Sequence, residues 1–106
     1  MGEEGLLGMA LHPKFSENNW IYLYFTTEST SELINRIDRY KFVNNTLTEK
    51  KEILSKIPGA KNHDGGRIAF GPDGYIYITT SNRDGRGTPK ENDDKVIKIH
   101  PRVLHQ

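Results

Sequence analysis

The chain has 106 residues, of which 34% are apolar and 27% charged, with no cysteine. That length makes at most one ordinary domain, and the missing cysteine excludes disulfide scaffolds, thiolate metal sites and cysteine nucleophiles. Lys plus Arg number 15 against 14 Asp plus Glu, a formal balance of +1, so no charge field exists to recruit nucleic acid or an anionic membrane. The longest apolar run, Ile21 to Phe25, is too short to span a bilayer. Met1-Gly2-Glu3-Glu4 has neither a basic nor an apolar leader region, so no signal peptide is expected in this chain as written.

Taken in chain order, the expected elements are strands. Leu6 to Leu11 is a weak one, followed by the His12-Pro13 turn. Trp20 to Thr27 is dense in β-branched and aromatic residues, with Ile21, Leu23 and Phe25 on one face and Tyr22 and Tyr24 on the other. Arg36 to Phe42 reads as a half-exposed strand, Asn44-Asn45 as a turn and Lys51 to Leu54 as a further weak strand. Glu49 to Lys56 is the one segment that passes as a short helix, without a convincing cap. Beyond Pro58-Gly59 come Arg67 to Phe70, the turn Gly71-Pro72-Asp73-Gly74, Tyr75 to Thr80 and Val96 to Ile99. The fold class is all-β, antiparallel.

An internal repeat sharpens this expectation. Ala10-Leu11-His12-Pro13, Trp20-Ile21-Tyr22-Leu23 and Thr26-Thr27 return as Ala69-Phe70-Gly71-Pro72, Tyr75-Ile76-Tyr77-Ile78 and Thr79-Thr80. Two chance hairpins of similar composition are the alternative, but the shared Pro and Thr-Thr favour a repeat. A period near ~50 residues with about four strands suits a β-propeller blade. The expectation is therefore a β-propeller fragment of about two blades, 1-57 and an incomplete 58-106. Two blades cannot close a ring, so Ile21, Leu23, Phe25, Ile76 and Ile78 are expected to be left uncovered. Open faces and edges predict self-association: aggregation ranks ahead of a stable monomer, and a ring of three copies comes last.

The stretch richest in chemistry is Lys61-Asn62-His63-Asp64-Gly65-Gly66-Arg67. An imidazole titrates near neutral pH, Asp64 is a possible orienting partner, and paired glycines permit close backbone approach. Spacing alone favours a solvated loop histidine over a general base. Arg83, Asp84 and Arg86 admit an anion site, though a glycine-rich hairpin loop is the blander account. Read as an EF-hand, Asn82, Asp84, Gly85 and Glu91 fall in ligand or turn positions, but Thr80 is wrong at the first position and strands flank the loop. Trp20, Tyr22 and Tyr24 read as packing aromatics and His12 as a surface residue. His100 and His105 lie near the C-terminus, and Asn44-Asn45-Thr46 fits a glycosylation triplet.

Glu3-Glu4-Gly5-Leu6-Leu7-Gly8-Met9-Ala10-Leu11-His12-Pro13-Lys14-Phe15, then Asn62-His63-Asp64-Gly65-Gly66-Arg67-Ile68, then Gly71-Pro72-Asp73-Gly74, resembles the soluble PQQ-dependent glucose/sorbosone (aldose sugar) dehydrogenases. The resemblance implies a six-bladed propeller, periplasmic or extracellular, that oxidises an aldose sugar with PQQ and calcium. It implies His63 as the catalytic base taking the anomeric hydroxyl proton, with Glu3 and Asn62 beside the cofactor. Family members commonly carry Gln where Glu3 stands. After Thr80 the chain departs from the family's early blade: Ser81 to Pro89 and Asp93 to Ile99 resemble the last blade instead. The resemblance thus implies a truncated or internally deleted chain, without the middle blades that hold most of PQQ and calcium, and inactive alone. The alternative is a non-catalytic propeller segment or interaction module.

Overall fold

The computed structural model describes residues 5–29, 32–55, 57, 67–81 and 94–103. Its elements are β1 (Gly5–Leu11), a single helical turn α1 (Phe15–Asn18), β2 (Trp20–Ser29), β3 (Glu32–Val43), β4 (Thr46–Ser55), β5 (Ile68–Phe70), β6 (Ile76–Ser81) and β7 (Asp94–Ile99). They form two antiparallel meanders, a four-stranded sheet β1-β2-β3-β4 and a three-stranded sheet β5-β6-β7. All seven expected strands are present.

Of the two readings of this region, the strand at Lys51 to Leu54 is the one that forms, within β4, and not the short helix that Glu49 to Lys56 could pass as. The pairing of β4 with β3 skips Glu49 and Lys50, and Glu49 has a φ of 54°. This bulge interrupts the two-residue alternation that would have marked a strand. The helix that does form, Phe15–Asn18, is too short to show a period. Asn19 closes it in the left-handed region, its N–H donating to the Phe15 carbonyl at 2.8 Å. Ala10 and Ala69 are 59 residues apart but Trp20 and Tyr75 only 55. The four residues of α1 account for that difference: the first copy of the repeat carries an extra turn where the second has Gly71 to Gly74, closed by Gly74 at φ 85°.

The core lies between the sheets. Tyr22, Tyr24, Ile37 and Ile53 of the first pack with Ile68, Ile76, Ile78 and Ile99 of the second. Ile76 and Ile78 are therefore wholly buried, and Ile21 is 8% exposed, which corrects the expectation that these three are left uncovered. Alternation identifies which residues share a face; it does not say which face the other sheet covers. Leu23 and Phe25 are half-buried, while Leu6, Met9, Leu11 and Val96 are exposed. The sheets approach closely at Gly8, where an added Cβ would lie 3.2 Å from Ile68 Cγ2.

His12 is not a plain surface residue. Its ring lies edge-on to Trp20 at 5.3 Å and to Phe70 at 5.4 Å, and stacks on Tyr22 at 6.2 Å, so it bridges the two sheets. Nδ1 accepts from the Lys14 N–H and faces the Asn18 side-chain nitrogen, each at 3.0 Å. Burial, then Arg39 and Lys14, hold its pKa below the ordinary 6.5. A histidine depressed in the fold takes up its proton more readily in the unfolded chain. Its contribution to stability is therefore complete above about pH 6.5 and lost as the pH falls below that value. Urea unfolding at pH 7.5 and 5.5 is expected to show a lower midpoint at 5.5, and His12→Phe to reduce that difference. An unchanged difference in the variant would assign the pH dependence elsewhere.

Candidate functional site

Register sorts the connections to two ends of the sheets. One end carries the His12 to Asn19 segment, the Asn44-Asn45 turn and the Gly71 to Gly74 turn. At the other, Gly5 pairs with Thr26 and Thr26 with Asn35. The Ile57 N–H donates to the Asn35 carbonyl at 3.0 Å. The Arg67 N–H donates to Thr79 Oγ1 at 2.9 Å, and the Arg67 carbonyl accepts from the Thr79 N–H at 3.0 Å. Ser81 pairs with Asp94. Residues 1–4, 58–66 and 82–93 therefore all join the described sheets at this second end.

Glu3, Asn62 and His63 lie outside the described residues, as do Asp64, the Gly65-Gly66 pair and the Asn82 to Glu91 run. What the structure gives is the frame from which these segments depart. Thr26 Oγ1 donates to Asn35 Oδ1 at 2.7 Å, both side chains buried. The Tyr24 hydroxyl donates across the sheets to the Thr79 carbonyl at 3.3 Å. Burial raises the Tyr24 pKa above 10.0, so the phenol keeps its proton and its donor role at neutral pH. These contacts tie the start of β1, the exit of β4 and the start of β5 into one rigid rim. The repeat's Thr-Thr had singled out Thr79 in the sequence; Asn35 carried no signal, because its role depends on which backbone group comes to meet it.

This rim offers hydroxyl, carbonyl and amide groups and the exposed Arg67. That set does not match a tricarboxylate such as PQQ by itself, since three carboxylates call for several cations or convergent donors. Among the described residues there is also no cluster of three or more His, Cys, Asp or Glu that could hold a metal ion. No described helix is long and apolar enough to cross a membrane.

The two open antiparallel sheets, stacked face on face, are β-propeller blades. The chain belongs to the Glucose / Sorbosone dehydrogenase family, whose sequence pattern matches residues 1–102. It is 40% identical over 86 residues to quinoprotein glucose dehydrogenase B of Acinetobacter calcoaceticus, covering 74% of this chain and 18% of that one. It is 31% identical over 87 residues to human Hedgehog-interacting protein, covering 72% of this chain and 12% of the other. The PQQ-bound form of aldose sugar dehydrogenase from Streptomyces coelicolor superposes with a TM-score of 0.67 at 34% identity, covering 94% of this chain and 31% of that one. The chain thus spans less than a third of the length of these relatives.

Proposed function

We propose that the chain supplies two blades, 1-57 and 58-106, to the active site of a sugar-oxidising quinoprotein, with His63 as the base that takes the anomeric hydroxyl proton of an aldose. The observation that carries this reading is the rim. The segments bearing Glu3 and Asn62-His63 join the sheets at one end, held by the Asn35–Ile57, Tyr24–Thr79 and Arg67–Thr79 hydrogen bonds. A base must be positioned within hydrogen-bond reach of the proton it removes, and Ile57 and Arg67, which flank this segment, are both hydrogen-bonded to the sheets. PQQ, which the Streptomyces relative binds, supplies a quinone that accepts two electrons; Glu3 and Asn62 are its proposed neighbours in this chain. Calcium and a periplasmic or extracellular setting belong to the same proposal. The proton step is the part that this chain's own residues carry.

Because the described rim does not surround a tricarboxylate, the 106-residue chain mixed with PQQ, calcium and glucose is expected to reduce no dye above a no-enzyme control. Grafting the part of this chain that aligns with the Acinetobacter relative into that protein is expected to retain glucose-dependent dye reduction. A graft that folds and binds PQQ but stays inactive would overturn the reading. The second reading, an interaction module without cofactor, draws on the match to Hedgehog-interacting protein, and a graft unable to bind PQQ would favour it.

A further inference from the structure

The near-even charge balance of the whole chain hides a local separation. Each copy of the repeat places a cation over an aromatic ring at the same register position. Ala69 pairs with Tyr77 and Tyr77 with Lys98, whose Nζ lies 4.5 Å from the centre of the Tyr75 ring. Ala10 pairs with Tyr22 and Tyr22 with Arg39, whose guanidinium lies 3.7 Å from the centre of the Trp20 ring. The second copy supplies a counter-charge. Asp73, in the Gly71 to Gly74 turn, meets Lys98 Nζ at 3.4 Å and accepts from the Tyr77 hydroxyl at 2.6 Å. The first copy does the reverse and adds cations where the second adds a carboxylate.

Arg39 stands directly opposite Lys51 of β4, and a like-charge cross-strand pair weakens a sheet unless something bridges it. Lys41, paired with Trp20, lies two residues further on and shares the same face. The His12 to Asn19 segment, which takes the place of the Asp73 turn, brings Lys14. After burial, Arg39 and Lys14 are the causes that lower the His12 pKa, so the two positive fields meet at its ring. Among the described residues none of these four cations has a carboxylate partner, and the exposed Glu17 and Glu49 pair with none of them. The sheet's other carboxylates, Asp38 and Glu52, meet Arg36 on the opposite face. The basic corner lies on the tyrosine face, which the chain's own second sheet packs against, so its charge pattern does not depend on what covers the outward faces.

We propose that this corner, made of Arg39, Lys41, Lys51 and Lys14, binds a phosphate group. A phosphate offers several acceptor oxygens and up to two negative charges at neutral pH, which suits several converging cations better than a single carboxylate would. Arg39 supplies a planar fork already seated on the half-buried Trp20, and the lysines act as point charges around it. The bound anion relieves the Arg39–Lys51 repulsion, so it also strengthens the pairing of β3 with β4.

The test is a titration of the chain with inorganic phosphate replacing chloride at constant ionic strength, followed by NMR. Amide shifts at residues 12–14, 39–41 and 51 are expected to saturate together. The His12 imidazole pKa is expected to rise as the anion offsets Arg39 and Lys14. Lys51→Gln, at an exposed position, should weaken binding about tenfold. Arg39→Lys, which keeps the charge and loses the fork, should weaken it as well. Lys98→Gln, at the counterpart that Asp73 balances, should leave it unchanged. Shifts that grow linearly without saturating, an unchanged affinity in Lys51→Gln, or an equal loss in Lys98→Gln would overturn the proposal. Vesicle pelleting separates the sources of phosphate. Retention on phosphatidic acid but not on phosphatidylcholine, weakened by Lys51→Gln, assigns the group to a lipid headgroup; saturable phosphate binding without retention assigns it to a soluble ligand.

Discussion

His63→Ala in the grafted blades is expected to lower kcat for glucose by about 10²–10⁴-fold, the range that a positioned general base contributes, while leaving PQQ binding nearly unchanged. The pH profile separates a base from a structural residue. An imidazole accepts a proton only when neutral, so the rate carried by His63 should fall as the pH drops below the imidazole pKa, ordinarily about 6.5. That acidic limb should vanish in the variant, and added imidazole should restore part of the rate. A loss below about tenfold with the limb intact would remove His63 from the proton step.

Ile78→Ala is expected to destabilise the chain by about 2–4 kcal/mol, which is the usual cost of opening a cavity at a fully buried aliphatic. Ile78 is 0% exposed at the centre of the second sheet, paired with Ile68 and Ile97 and facing the first sheet. A domain of this size has about 5–15 kcal/mol in total, so the urea midpoint should fall by about 1–2 M for a slope near 2 kcal/mol per M. Val96→Ala, at a position 67% exposed, should change it by less than about 0.5 kcal/mol when both are measured on dilute monomer. Equal losses at the two sites would mean that the sheets do not pack as described.

Much of this architecture is legible in the sequence because strand alternation and turn chemistry are local. Trp20 to Thr27 and Tyr75 to Thr80 announce their own pleat, and Asn44-Asn45, with φ of 55° and 60°, announces its turn. Three features are not local. The bulge at Glu49 erases the alternation of β4 over the residues where it would be read. The burial of Ile76 and Ile78 depends on the second sheet docking on the tyrosine face of the first. His12 acquires its role from Phe70, 58 positions further along the chain. The candidate site divides in the same way. His63 and its glycines stand out by residue type, whereas the Asn35, Tyr24 and Thr79 groups that anchor the rim are recognised from their hydrogen bonds.

The helical turn Phe15–Asn18 is a natural experiment in changing the length of this chain. Four added residues leave the ladder undisturbed: Ala10 still meets Tyr22 as Ala69 meets Tyr77. They enter at the end of the sheets remote from the segments that bear Glu3 and His63. Growth and shrinkage at that joint are thus decoupled from the opposite rim. A lineage of such blades is free to diversify there, acquiring epitopes, recognition loops or attachment points, without moving any strand at the other end.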